Sequence, residues 1–433
     1  MSAWWMQRTV ARGLAVIALA AWSVGPARAG GRDGREEQEE KVHQGRAEKT
    51  LYIWAGDAER VRPDFLAVID FNESSANYGK VLRTVPVPPP GNVGNEPHHC
   101  HLSADRNVLA CGGLLSVLSG QNGIFFFDVS DARKPEFLFS TSAPSSSITD
   151  DFLPLPGGGF LVTQMGSATG DAPGRLAEFD RHLRLVAEHP TSPPTDGFNP
   201  HGISARFDLD LLVTSDFINP ASTLNSWPGP VELRGSLRFW NLSRREIVRT
   251  VFLPEALGSM DVKLIPGDPH GRAVTANMFS GLVYTVDPTD GSVVQSFDCE
   301  DIVPHVEVPV PGGMVQLLAM PESGDRLIFA SFQAGQVGLL DISDPGAFKQ
   351  LSVVNLGVGA GPHDIDLTED DARLVVTDYF LDEDGFGRIH FDGDRKVRVI
   401  KVTRDALTLD PRFDLDFDTA FDHPARPHGI AMK

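Results

Sequence analysis

Four segments far apart in the chain place a histidine directly after a proline, at the head of a short apolar run. They are "EPHHCHLS" (96–103), "NPHGISA" (199–205), "GPHDIDL" (361–367) and "RPHGIAM" (426–432). Neutral imidazole is the commonest protein ligand for metals and suits copper, iron, zinc and nickel. Brought to one centre, His98, His201, His363 and His428 make a nitrogen-rich metal site; protonated rings so close would repel one another. His99 stands beside His98 and offers either a further ligand or a partner that orients one. A single histidine of this kind is more often a hydrogen-bonded polar residue, so the fourfold recurrence is what favours a metal. The proline before each ring fixes φ and carries no N–H to satisfy at a strand entrance.

The elements that must position these rings repeat. Three further segments share the pattern of short strand, turn and second strand: "SITDDFLPLPGGGFLVTQM" (147–165), "SMDVKLIPGDPHGRAVTANMF" (259–279) and "GGMVQLLAMPESGDRLIFASF" (312–332). That gives seven units. Each continues into a third strand, such as "GIFFFDVSD", "SLRFWNLS" or "GRIHFDGD", and a fourth, such as "EFLFSTSA", "EIVRTVFL" or "VRVIKVT". Short strands rich in Val, Ile, Leu, Phe and Thr, punctuated by Gly, Pro, Asp and Asn, indicate an all-β fold. Four of them recurring at about 50 residues indicate the blades of a β-propeller. "PHGIAMK" (427–433) supplies only a first strand, and "TLYIWAGD" (50–57) resembles a second strand with none before it. The expected fold is therefore a seven-bladed β-propeller over 50–433, its closing blade built from both ends of the chain.

First strands of propeller blades line the central channel, so equivalent positions form a ring. Alignment on the apolar residues puts His98, His201, His363 and His428 at one level. The other blades offer Asp150 or Asp151, Met260 and Gln316 there. A thioether at Met260 favours copper. His305 in "VPHVEVP" is an outside candidate near the channel mouth, whereas His270 falls in a surface turn.

Residues 1–29 have arginines at 8 and 12, an apolar run too short to span a bilayer, and small residues about Ala27 and Ala29, the layout of a secretory signal peptide. Residues 30–49 are a polar, charged leader with little to bury. The expected location is periplasmic or secreted, with no membrane association after signal cleavage. A net charge of −20 without a basic stripe argues against nucleic acid. Three cysteines are too few for a disulfide scaffold, but Cys100 and Cys111 flank the turn "SADRN" and face each other across one hairpin. Cys299 reads as a small buried residue. No P-loop, dinucleotide fingerprint or nucleophile elbow is present, and the acidic turn "DEDGFG" (382–387) reads as a solvated bend.

The run "DFLAVIDFNESSANYGKVLRTVPVPPPGNVGNEPHH" (64–99) resembles the opening of the selenium-binding protein/methanethiol oxidase family. "SLRFWNLSRREIVRT" (236–250), "GLLDISDP" (338–345) and "LTLDPRFDLDF" (407–417) resemble later family segments in the same order. The resemblance implies a propeller, a copper cofactor, and oxidation of methanethiol by oxygen to formaldehyde, hydrogen sulfide and hydrogen peroxide in the bacterial periplasm. The family's tandem histidines map onto His98 and His99. The chain departs from the family where a cysteine implicated in selenium binding is expected before Leu51, and where "DDFLPLP" replaces a histidine-bearing strand. It exceeds the family pattern at His201, His363 and His428. The expected function is a copper-dependent oxidase acting on a small thiol. The alternatives are a non-haem iron oxygenase with a four-histidine site and a propeller scaffold without catalysis.

Overall fold

Residues 48–301 and 310–433 are described by the structure, a computed structural model. The signal and leader assigned to 1–29 and 30–49, and His305, lie outside the described residues, apart from the leader's last two positions. Among the described residues no helix is long and apolar enough to cross a membrane.

Seven four-stranded antiparallel sheets are arranged as blades. Their inner strands, in chain order, are Pro97–Leu102 (blade 1), Ser146–Pro154 (blade 2), Pro200–Arg206 (blade 3), Ser259–Leu264 (blade 4), Val315–Ala319 (blade 5), Asp364–Leu367 (blade 6) and Ala425–Met432 (blade 7). Each inner strand contacts the next around the ring, and blade 7 contacts blade 1. Blade 7 takes its other three strands, Thr50–Asp57, Phe65–Asp70 and Val81–Pro86, from far earlier in the chain. The closure expected from the sequence is what the structure shows.

The apolar runs of the middle strands follow from their burial on both faces. In Ile124–Asp128, Phe125 and Phe127 pack with Trp54 and Tyr52 of blade 7, while Phe126 packs with Phe160 and Phe179 of blade 2. Each such ring contributes about 1.5–3 kcal/mol by leaving water. Outer strands such as Glu136–Thr141 have one open face, and no residue of this one is fully buried.

One local irregularity recurs around the channel. In six blades two consecutive inner-strand residues stand opposite a single partner: His98–His99, Asp150–Asp151, His201–Gly202, Met260–Asp261, Gln316–Leu317 and His428–Gly429. Such β-bulges bend a strand and re-aim its side chains. His363 precedes Asp364 at the same level in blade 6, its N–H bonded to the Thr377 carbonyl at 2.9 Å.

The residue that follows the ring position staples blades together. Asp151 accepts the Ile203 N–H at 3.3 Å, Asp261 the Leu318 N–H at 2.9 Å, and Asp364 the Ile430 N–H at 3.2 Å. Each carboxylate thus holds the inner strand of the following blade. Gly429 occupies this position in blade 7 because blade 1 comes too close for a side chain. A Cβ there would lie 2.3 Å from the His98 carbonyl oxygen. Gly429→Ala should therefore lower stability by about 1–3 kcal/mol, read from the denaturant midpoint. A midpoint equal to wild type would contradict this account of the contact.

Cys100 and Cys111 are direct cross-strand partners and form a disulfide immediately after the His98–His99 bulge. Cys299 is buried.

Two sequence readings require correction. "GRIHFDGD" is not the third strand of blade 6; that place belongs to Lys396–Val402, and the fourth strand is Leu407–Asp416. Lys396–Val402 buries Val397, Val399 and Ile400, whereas the run at 387–391 has too few apolar residues for a blade interior. His390–Phe391 pairs instead with Leu381–Asp382 as a small hairpin. Nor is "DEDGFG" a solvated bend throughout. Asp384 pairs with Arg60 and Arg426, and Glu383 is buried, accepting the Arg388 N–H at 2.8 Å and the Ile389 N–H at 2.9 Å. Glu383 also accepts from the Thr223 hydroxyl, and the Asn225 N–H reaches the Phe386 carbonyl at 2.9 Å. The hairpin of blade 6 is thereby strapped to a loop of blade 3.

Candidate metal centre

The inner strands, bulged in every blade but that of His363, bring five of the histidines singled out in the sequence to one buried cluster. His98, His99, His201, His363 and His428 are each no more than 5% exposed. Ring centroids of His98 and His428 are 4.0 Å apart, those of His363 and His428 4.6 Å, and those of His99 and His201 5.9 Å. Apolar neighbours fix ring orientation: Phe380 stacks on His363 at 4.5 Å, and Phe217 meets His201 edge-on at 5.0 Å.

Asp150 resolves one ambiguity of the sequence, since it and not Asp151 faces the rings. Its Oδ2 lies 3.2 Å from Nε2 of both His98 and His201, and its Oδ1 lies 3.1 Å from Nδ1 of His99. Gln316 accepts from Nδ1 of His363 through its Oε1. Met260 is buried at the corresponding position of blade 4.

Two overlapping donor sets result. His98, His99, His363 and His428 form one; His98, Asp150 and His201 form the other; within each, the donor atoms lie within 4.8 Å of one another. His98 belongs to both. The 3.2 Å approaches to Asp150 Oδ2 match the spacing of about 3.3 Å between nitrogen ligands 2.0–2.1 Å from a tetrahedral ion. They are not hydrogen bonds, for Oδ2 has no hydrogen-bond partner, and neither has His98 Nε2. Both ring nitrogens of His428, and Nδ1 of His98 and His201, are likewise buried without partners. Leaving such a group unsatisfied costs about 1–3 kcal/mol, so this accumulation is unfavourable unless an ion or ordered water satisfies it.

Tautomers point the same way. Gln316 and Asp150 are acceptors, so Nδ1 of His363 and of His99 carry hydrogen. The Nε2 atoms of these rings then face each other at 3.4 Å, a separation that calls for a shared proton or a cation. Burial lowers the pKa of His201 to about 4 and holds those of His98, His363 and His428 below the usual range, with neighbouring imidazoles adding to the effect at all four. These four are neutral and ligand-ready at neutral pH. Burial also opposes charge on His99, but the Asp150 carboxylate outweighs it and raises that ring to about 9. Asp150 stays ionised despite its burial because His201, His98 and His99 surround it.

Two unlike spaces meet at the cluster. On one side is an apolar cavity lined by Leu114, Ile148, Met165, Phe217, Met278 and Phe380, with the Glu383–Thr223 strap at its border. On the other is a polar chamber bordered by Asp151, Asp261, Lys263, Asp364 and Asp366. His98 and Asp150 border the first, His99 the second, and His201 both. Sequence reasoning missed the strap, which leaves no periodic signal. It noted Asp150 without giving it a ligand's part.

Residues 34–433 match the family described as 56kDa selenium binding protein (SBP56). Over 328 residues the chain is 25% identical to a methanethiol oxidase of Ruegeria pomeroyi, covering 69% of this chain and 71% of that one. It is 23% identical to selenium-binding protein 2 of Arabidopsis thaliana, covering 89% and 90%. It is 21% identical to a methanethiol oxidase of Homo sapiens, covering 85% and 89%. Among solved structures, a hypothetical selenium-binding protein from Sulfolobus tokodaii superposes with a TM-score of 0.74 at 16% identity, covering 91% of this chain and 95% of that one. That likeness concerns the fold alone.

Proposed function

Because the chain belongs to the 56kDa selenium binding protein family, we propose that it is a metal-dependent oxidase of a small thiol, its ion held by the channel histidines. The observation that carries this reading is the set of buried, unpartnered donor atoms on His98, His201, His428 and Asp150. His99 and His363 complete the ring. Copper is the metal favoured, since imidazole suits it and a thioether, Met260, lies at the same level. Methanethiol is the substrate favoured, by analogy with relatives of that name. In the balanced reaction, methanethiol, oxygen and water give formaldehyde, hydrogen sulfide and hydrogen peroxide.

A bound copper ion would supply redox exchange with oxygen and Lewis acidity toward sulfur. The chain's own residues do the rest. The apolar cavity admits an uncharged thiol and keeps bulk water from the ring. Asp150 fixes the tautomer of His99, and Gln316 that of His363, so that both present Nε2 to the centre. His99, with its pKa raised to about 9, is the ring able to hold a proton when the ion is absent.

A periplasmic location is part of the proposal. The signal-like sequence of 1–29 and the Cys100–Cys111 disulfide both suit an oxidising compartment. The iron alternative keeps one argument of its own, that one donor set consists of four imidazoles. Metal analysis of the purified protein separates copper from iron, and peroxide release with methanethiol tests the reaction. A folded protein that takes up no metal, or a copper-loaded one inert toward thiols, would overturn the oxidase reading.

A further inference from the structure

The polar chamber on the far side of the ring is assigned no part in the chemistry above, yet its composition opposes that of the apolar cavity. Asp151, Asp261, Asp364 and Asp366 border it, with Lys263 the cationic side chain among them. Asp366 is exposed, and the Lys263 side chain is 29% exposed although both residues face the channel, so the chamber opens to water. Deeper in, Asp364 and Asp261 are buried, their carboxylates fixed by the blade-stapling bonds to Ile430 and Leu318. The chamber thus runs from solvent through a wall of carboxylates to His99 and His201.

His201 supplies the independent sign that a ligand travels this way. It is 1% exposed and borders both spaces; its Nε2 stands at Asp150, while its Nδ1 has no partner. The cavity on the other side cannot serve a hydrated cation. Away from the ring residues His98, Asp150 and His201, its walls are mainly aliphatic, aromatic and thioether groups, and the oxygens of Glu383, the carboxylate outside the ring, are taken by Thr223, Arg388 and Ile389. Carrying an unpaired charge through such a space is costly.

We infer that the chamber is the entry path by which a divalent cation reaches the histidine ring, its carboxylates steering the ion inward and Lys263 opposing it. This rests on the metal reading of the ring. The two sides of the channel then divide their traffic by charge: cations come through the acidic chamber, and the uncharged thiol and oxygen through the apolar cavity. Steering of this kind acts on the rate of arrival and weakens with ionic strength; the affinity of the ring itself is set elsewhere.

The test is the rate at which metal-free full-length protein takes up Cu(II) or Co(II), followed by absorbance after rapid mixing. Asp366→Asn should slow uptake by about 3–10-fold, and Lys263→Gln should speed it. Both differences should shrink with added salt, and the final metal content should match wild type. The opposite signs guard against misfolding, which would slow both variants. Thr223→Val loosens the strap and should leave uptake unchanged. Rates insensitive to Asp366 and Lys263, or accelerated by Thr223→Val, would overturn the path while leaving the ring as a metal site. A wild-type protein that takes up neither ion would overturn the path and the metal reading together.

Discussion

His98→Leu should cost the protein its metal and at the same time make the metal-free form more stable. His98 belongs to both donor sets, so no rearrangement of the remaining rings restores either one. Metal content after purification should fall by at least about tenfold, by analogy with the losses seen when even an orienting partner is removed. Leucine approximates the volume of histidine, and His98 in the metal-free protein has two buried nitrogens without hydrogen bonds. Removing them relieves a penalty of about 1–3 kcal/mol per group, which should appear as a higher denaturant midpoint in the presence of a chelator. With metal present the order reverses, because only the wild type is stabilised by the ion. If the propeller were a scaffold with structural histidines, the substitution would lower stability under both conditions and leave metal content as it was.

Asp150→Ala is the second large effect, and its sign is the opposite. Asp150 is fully buried and is the carboxylate against which His99 holds its proton. Deleting one member of a buried charged pair leaves the other uncompensated, a cost of about 3–5 kcal/mol. The pH dependence follows from the raised pKa of His99. In the wild type the pair's contribution is full below 6.5, the ordinary histidine value, and fades as pH rises through about 9. The deficit of Asp150→Ala in the absence of metal should therefore be largest near pH 6 and shrink toward pH 9. Urea titrations at the two values check it, and a deficit independent of pH would mean that His99 is not the charged partner.

Much of this arrangement is legible in the sequence because it repeats. A ring of seven blades forces equivalent positions to one axis, so the alignment that placed His98, His201, His363 and His428 at one level needed no knowledge of distances. The same alignment placed Met260 and Gln316. What it could not show is the bulge. Two adjacent inner-strand residues opposite one partner leave no mark on the pattern of apolar residues, so the choice between Asp150 and Asp151 stayed open. The structure gives the two aspartates different tasks, one facing the rings and one holding blade 3. The third strand of blade 6 was misread because "GRIHF" has the alternation of a strand, while Glu383, five residues before Arg388, captures its N–H groups into a hairpin. Long-range capping of that kind lies outside any local pattern.

The route by which blade 7 is assembled bears on when the protein can acquire metal. His428 lies on the strand that leaves the ribosome after every other strand of the ring, and it must pair with Thr50–Asp57, the first of them. A nascent chain therefore has no complete donor set of four imidazoles, however much of it has folded. On the metal reading proposed above, an ion captured earlier would meet only part of that set, so loading of the four-imidazole set would follow annulus closure.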